Sequence, residues 1–505
     1  MARGWYLGID LGTGSCKSLV VSEEFELLGF ALSEYPALDV GRRWQEQDPD
    51  SLLQAAIDSA KSALEKSSQS PGDCRAISLG GALHSLVALD KRGKPLTGLL
   101  TWADGRASHQ AARIKNSSLA IQLYQETGCP VHPMYPLYKI MWLREERPET
   151  FSRTRRLISA KEYVLWKLTG EFRVDYSVAS GSGLMGVRSL IWSPVCLELS
   201  GIREEMLSEP ASPRSVLGGL HGEAGGELGL PREVPVILGS SDAVNSSLGA
   251  GATRPSQATC MVGTSGALRI ISAVPILDAK ARTWCYAIDQ GHWLVGGAIN
   301  NGGVALSWLR DCLNEVLMLR REKDLLGFDE ILEMAQKAEP GAGGVLCLPF
   351  FAGERSPYFN PNARAVFLGL TLEHGLSQLS RALIEGIGYR FRSIKQVLSE
   401  LGIGVEEAMA SGGFTKSRFW LQVMADILGI PLRVPRWGET SVLGAALWAI
   451  RSMSAEMELE KMGDLVSQAE EVYPNAVNRA LYDRLFSMYE KAYECLCPVL
   501  EEMAR

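Results

Sequence analysis

The sequence contains no Cys-x-x-Cys pair, no histidine cluster, no basic tract and no apolar run long enough to cross a bilayer. Its ten cysteines are scattered, the nearest two being Cys495 and Cys497, so buried free thiols are expected rather than a zinc ribbon or a disulfide framework. The six histidines are dispersed and lack metal-ligand spacing. The longest apolar stretches, such as Val442–Ile450, fall short of the roughly 18 residues a membrane span requires. Net charge is -7 with the two signs interspersed, whereas a binder of the phosphate backbone carries clustered Lys and Arg, so no nucleic-acid partner is expected. A strand pattern starts within a few residues of Met1, which leaves no room for a secretory leader, and a cytoplasmic protein is expected.

What is present is ordinary globular usage, 46% hydrophobic and 22% charged, over 505 residues. Single cores tend to split once a chain passes about 250 residues, so two domains are expected, residues 1–248 and 249–505, with the junction near Asn245–Pro255. The apolar run Trp5–Asp10, the turn Leu11–Ser15 and the apolar run Lys17–Val21 predict a β-hairpin. A related pattern returns at Ala258–Val262, Gly263–Gly266 and Ala267–Ile271, as though the second half began like the first. Strands are expected at Ala76–Leu79, Leu86–Leu89 and Val234–Leu238. Helices are expected at Asp48–Lys66, Tyr138–Glu146, Asn301–Val316 and Ser377–Leu398, and across Lys461–Arg505. This alternation indicates an α/β fold.

Asp10 ends the first strand immediately before Gly12-Thr13-Gly14-Ser15. Glycines let backbone N–H groups approach phosphate oxygens, the Thr and Ser hydroxyls add donors, and Lys17 adds a point charge. A carboxylate beside such a cradle suits hydrated Mg²⁺, with Asp242 as the second metal candidate. The competing reading is a plain hairpin with an Asx turn. Gly263-Thr264-Ser265-Gly266 forms a second cradle, and two cradles suit a nucleotide triphosphate; neither has the Gly-x-x-x-x-Gly-Lys-Ser/Thr spacing of a P-loop. Asp242 follows a strand and precedes small residues, which suits either a general base for an attacking hydroxyl or a helix N-cap. Ser411-Gly412-Gly413 up to Ser417 offers bare backbone before a helix, fit for an adenosine.

Together these segments resemble the FGGY carbohydrate kinase family over nearly the whole chain. One family signature is met at every defined position by Met134–Glu146, and a second is met from Ala365 to Glu385 with Leu383 as the single departure. The resemblance implies two ribonuclease-H-like domains of the actin-like ATPase class flanking a central cleft, with ATP and Mg²⁺ as cofactors. It also implies roles for named residues. Asp10, Gly12, Thr13 and Lys17 would form one phosphate motif, with Gly14 and Ser15 of the same turn as candidates from the residues themselves, and Gly263 and Thr264 the other. Gly303 would be a further nucleotide contact, and Gly412, Gly413 and Ser417 the adenosine motif. Asp242 would be the catalytic base, and His84, Trp102 and Asp104 would line the sugar pocket.

Within the family the chain is more similar to gluconate kinases than to xylulose kinases, which carry Gln-Met-His-Gly where this chain has Ala82-Leu83-His84-Ser85, and Trp-Asn-Asp where it has Trp102-Ala103-Asp104. The expected activity is ATP-dependent phosphorylation of a sugar acid at a terminal hydroxyl, D-gluconate to 6-phosphogluconate. The alternatives are a kinase for xylulose, ribulose, erythritol or glycerol, or a sugar-binding regulator without turnover. An acidic substrate in a protein of net charge -7 needs local cations or donors, and His84, Arg106, His132 and Lys139 are the candidates; Lys139 has the rival reading of a helix-surface residue. A homodimer is compatible with the sequence, and neither nucleic acid nor a membrane is an expected partner.

Overall fold

The computed structural model describes residues 4–36, 45–322, 324–454 and 457–503. Two compact units share the chain and neither is continuous: the first takes 1–254, 271–295 and 439–466, the second 255–270, 296–438 and 467–505. The junction expected at 248/249 lies inside the helix Asp242–Ala250, and the chain first changes unit after Arg254.

The first unit is built on a sheet whose strands run, edge to edge, 216–217, 236–237, 74–81, 5–11, 15–22 and 27–34. The expected hairpin is there, with Trp5–Leu11 antiparallel to Ser15–Ser22, and Trp5–Leu11 also pairs in parallel with Cys74–Gly81. An interior strand covered on both faces should be apolar throughout, and every residue of Trp5–Leu11 is buried. Side chains alternate across a sheet, so Trp5, Leu7, Ile9 and Leu11 share one core with Leu52, Ala55, Ala56 and Ile57 of the helix Pro49–Ser67. Gly8 and Asp10 therefore face the other side, which is covered by the helix Thr440–Met453; Gly8 lies against Val442 and Ala446 of that helix. The same helix crosses Asp242–Ala250 so closely that a Cβ on Gly249 or Gly444 would collide with the backbone of its partner at Thr440 or Asn245.

The second unit repeats the plan. In its sheet the strands beginning at 266, 257, 407, 432 and 468 lie side by side, again with a hairpin whose first strand pairs in parallel with a distant one. The C-terminal region departs from the expectation of one long helix. Gln468–Val472 is an edge strand antiparallel to Leu432–Pro435, and the helix begins only at Ala476 and is described to Met503, with residues 504–505 outside the described ones. Its glutamates are spent on neighbouring elements, Glu471 on Arg433 of the paired strand and Glu470 on Arg418 at the start of the helix Arg418–Leu428, which suits an edge strand. All ten cysteines are free; seven are buried, as expected, while Cys312 and Cys495 are exposed. Among the described residues no helix is long and apolar enough to cross a membrane.

Candidate active site

The strand alternation that turns Asp10 toward the helix Thr440–Met453 leaves its carboxylate 3% exposed. The Ser441 hydroxyl donates to Oδ2 at 2.5 Å, while Oδ1 has no hydrogen-bond partner among the described residues. Burial pushes the carboxyl up to about 6, against the Ser441 hydrogen bond and with the negative charge of Asp242 acting in the same direction as burial. Asp10 and Asp242 thus belong to one unit and lie close enough for their charges to interact. Lys17 is ion-paired with Glu439, just ahead of the same helix, rather than standing as a lone charge.

Asp242 is the first residue of the helix Asp242–Ala250 and not its N-cap. The cap is Ser241, whose hydroxyl accepts from the Val244 N–H, so the capping alternative falls to the neighbouring residue. The Asp242 carboxylate accepts from the backbone N–H groups of Leu83 at 3.3 Å and Ala243 at 2.8 Å. Behind it runs a buried chain of hydrogen bonds. Lys161 pairs with Asp175 at 2.7 Å, Asp175 accepts from the Ser177 hydroxyl at 2.5 Å, and that hydroxyl accepts from the Ser241 N–H at 2.8 Å. The backbone that carries Asp242 is thereby tied to a desolvated ion pair.

The first cradle is held mainly by side chains. The Gly12 N–H donates to Ser15 O at 3.0 Å; the Tyr35 hydroxyl donates to Gly12 O, the Gln47 amide to Thr13 O, and Trp102 Nε1 to Thr13 Oγ1 at 3.2 Å. Trp102 is thus in direct contact with the first glycine turn. Gly14 has open space around its α-carbon. Asp104 and Arg106 face each other at 2.8 Å, and the Arg106 guanidinium also pairs with Glu46 at 2.6 Å and lies over the Trp142 ring. Asp104 is 1% exposed and accepts from the Gln45 N–H as well. These two residues brace their loop, with the guanidinium directed to Asp104 and Glu46.

His84 is held in the left-handed region, φ 66°, and its Nδ1–H donates to Gly181 O at 2.6 Å. A carbonyl only accepts, so the neutral ring carries its lone pair on Nε2. Tyr135 and Tyr286 pack edge-on against the ring, and their hydroxyls meet at 2.9 Å. In half-buried His132 the tautomer is the reverse: Nδ1 accepts from the Met134 N–H, which places the proton of a neutral ring on Nε2. Lys139 is not a helix-surface residue. It is fully buried, and its ammonium donates to His84 O and Thr101 O, each at 2.6 Å.

In the second unit four segments far apart in sequence surround one cavity of about 550 Å³. The hairpin turn supplies Gly263 and Thr264, the start of the helix Gly303–Leu319 supplies Gly303 and Ser307, and the 412–417 loop supplies Gly413, Lys416 and Ser417. The turn is clamped by backbone alone: Gly303 N–H donates to Gly263 O at 2.7 Å, and Gly302 and Val304 N–H donate to Thr264 O. Gly412 sits at φ 91° with its α-carbon against Val262 O, a place only glycine fills without strain. Ser417 caps the helix Arg418–Leu428, accepting from the Trp420 N–H at 3.2 Å.

Several contributors were not found from sequence. Glu439 and Ser441 had only the helix-start signal of a polar stretch before an apolar run, and nothing in it pointed to Asp10. Phe328, Asp329 and Leu332, from the helix Phe328–Gln336, line the cavity and gave no signal at all. Among the described residues no group of three or more Cys, His, Asp or Glu could hold a metal. The unpartnered Oδ1 of Asp10 fits a different arrangement, a hard divalent cation held by one or two carboxylates with phosphate and water completing its shell.

Comparison with known proteins bears on this geometry. Residues 5–249 match the N-terminal domain, and residues 258–453 the C-terminal domain, of the FGGY family of carbohydrate kinases. A gluconokinase of Bacillus licheniformis is 34% identical over 491 residues, 96% of this chain and 94% of that one. The crystal structure of a gluconate kinase from Lactobacillus acidophilus superposes with a TM-score of 0.92 at 31% identity, covering 98% of both chains. A ligand-bound xylulose kinase structure from the same organism also gives 0.92, at 30% identity, over 99% of this chain and 100% of that one.

Proposed function

The chain belongs to the FGGY family of carbohydrate kinases, an α/β phosphotransferase of two domains acting on an alcohol group with ATP, and from that premise we propose that its acceptor is a sugar acid of the gluconate type. Asp242 acts as base. It removes the proton of a terminal hydroxyl as that oxygen forms a bond to the γ-phosphorus, the bond from phosphorus to the β,γ-bridging oxygen breaks, and ADP leaves with the electron pair. The observation that carries the reading is the pairing of Asp242, held by two backbone N–H groups at the head of its helix, with a buried Asp10 whose Oδ1 lacks a partner. Asp10, with Asp242 nearby, would hold Mg²⁺, which when bound neutralises charge on the β- and γ-phosphates.

The nucleotide is assigned to the second unit's cavity, which Gly263, Thr264, Gly303, Gly413 and Ser417 line, with Gly412 packed against Val262 beside it. Gly12, Thr13, Gly14 and Ser15 would meet the transferring phosphate, and Lys17, balanced by Glu439, would tune charge there. For the acceptor, His84 and His132 are the assigned pocket residues, one ring fixed by the Gly181 carbonyl and the other by the Met134 N–H. Trp102 lies beside the first cradle, while Asp104 and Arg106 brace the loop between them. The departures from xylulose-kinase motifs at Ala82–Ser85 and Trp102–Asp104 favour the acid over xylulose. A coupled assay of ADP release across gluconate, xylulose, ribulose, glycerol and erythritol is expected to give the highest kcat/KM with gluconate. Equal or better turnover of another acceptor would overturn the substrate assignment and leave the kinase itself standing.

A further inference from the structure

Lys139 has no part in the chemistry above, yet its ammonium is one of the most enclosed charges in the first unit. It leaves the helix Pro136–Glu146, in which Pro136 through Leu143 are all buried, and reaches two backbone carbonyls 17 positions apart on separate loops. One is His84 O, at the residue whose φ is 66° and whose ring is fixed by Gly181 O. The other is Thr101 O, immediately before Trp102, whose indole reaches Thr13 in the phosphate cradle. The two loops also join each other through reciprocal Leu86–Leu100 backbone hydrogen bonds at 2.9 and 2.8 Å. A cation placed between two carbonyl dipoles draws both toward one point, and two charge-assisted hydrogen bonds of 2.6 Å fix that point. Holding an ammonium out of water is costly unless something is gained by it. Asp104 offsets part of that cost, Arg106 adds to it, and burial still pulls the ammonium down to about 7.

We propose that Lys139 is a positioning residue for the acceptor: its ammonium sets the spacing between the His84 loop and the Thr101–Trp102 loop, and so the affinity for the sugar without touching it. This rests on the assignment of those loops to the acceptor, but not on which acceptor it is. The test compares wild type with Lys139→Met, which removes both donors, and Lys139→Gln, which keeps an uncharged donor on a shorter stem. Each is assayed with whichever acceptor supports the fastest ADP release in wild type, so failure of gluconate as substrate does not touch the comparison. The expected result for Lys139→Met is a rise of about tenfold or more in acceptor KM with the KM for ATP within about twofold, and an intermediate rise for Lys139→Gln. An unchanged acceptor KM, or a parallel rise in both KM values, would overturn the proposal. Insolubility of both variants would overturn it too, because Lys139 would then serve the fold at large.

Discussion

The two glycine hairpins are alike in sequence and in strand pairing, yet they are secured by different means. The turn at Gly12–Ser15 is strapped from outside by Tyr35, Gln47 and Trp102, each on a different segment. The turn at Gly263–Ser265 is gripped by three successive backbone N–H groups at the start of one helix. Side-chain straps bind the first turn to the loops around it, with the buried Asp10 carboxylate two residues upstream. A backbone grip needs no side-chain volume, so it leaves a cavity open for a ligand. One local motif therefore serves two purposes, and the surrounding segments decide which.

The sharpest way to break this division is at Asp242. Asp242→Asn keeps the size and one acceptor oxygen but no longer takes a proton, so kcat is expected to fall by about 10² to 10⁴-fold, while ATP affinity measured by calorimetry stays within about twofold. Turnover at the wild-type rate would remove Asp242 from the base role. The reciprocal change is Gly412→Ala, where a Cβ would meet Val262 O at a φ of 91°. It is expected to raise the KM for ATP by about tenfold and leave acceptor KM unchanged; a shift in acceptor KM alone would deny the second unit its nucleotide role.

The smallest effect concerns pH and belongs to the first unit. Lys139 takes its proton in the folded chain only below about 7, against an ordinary value of 10.5. Between those values the unfolded chain binds the extra proton, so stability from this group rises with pH from neutrality to about 10. Urea unfolding of wild type and Lys139→Met across that range should show a steeper rise for wild type. Parallel curves would mean the ammonium is not desolvated as the structure has it.

Both hairpins were legible in the sequence because each depends on neighbours within a few positions, and the two-domain plan was legible from chain length. The Ser441 contact was not, since Ser441 meets Asp10 across 431 positions and no local pattern encodes that. Lys139 was misjudged for a related reason: its helix is buried almost all round, so no polar face marked which side chains meet water. The C-terminal strand Gln468–Val472 was missed because a charged edge strand reads like an exposed helix face.

The return of residues 439–466 to the first unit has a consequence for how the protein is made. The helix Thr440–Met453 covers the sheet face that carries Gly8 and Asp10, and it supplies Ser441. During synthesis that helix is not available to cover the face until residues 440–453 have been translated, long after Trp5–Leu11. The unit that begins first must therefore be completed late, and a fragment ending at Arg254 would carry an exposed apolar sheet and invite aggregation.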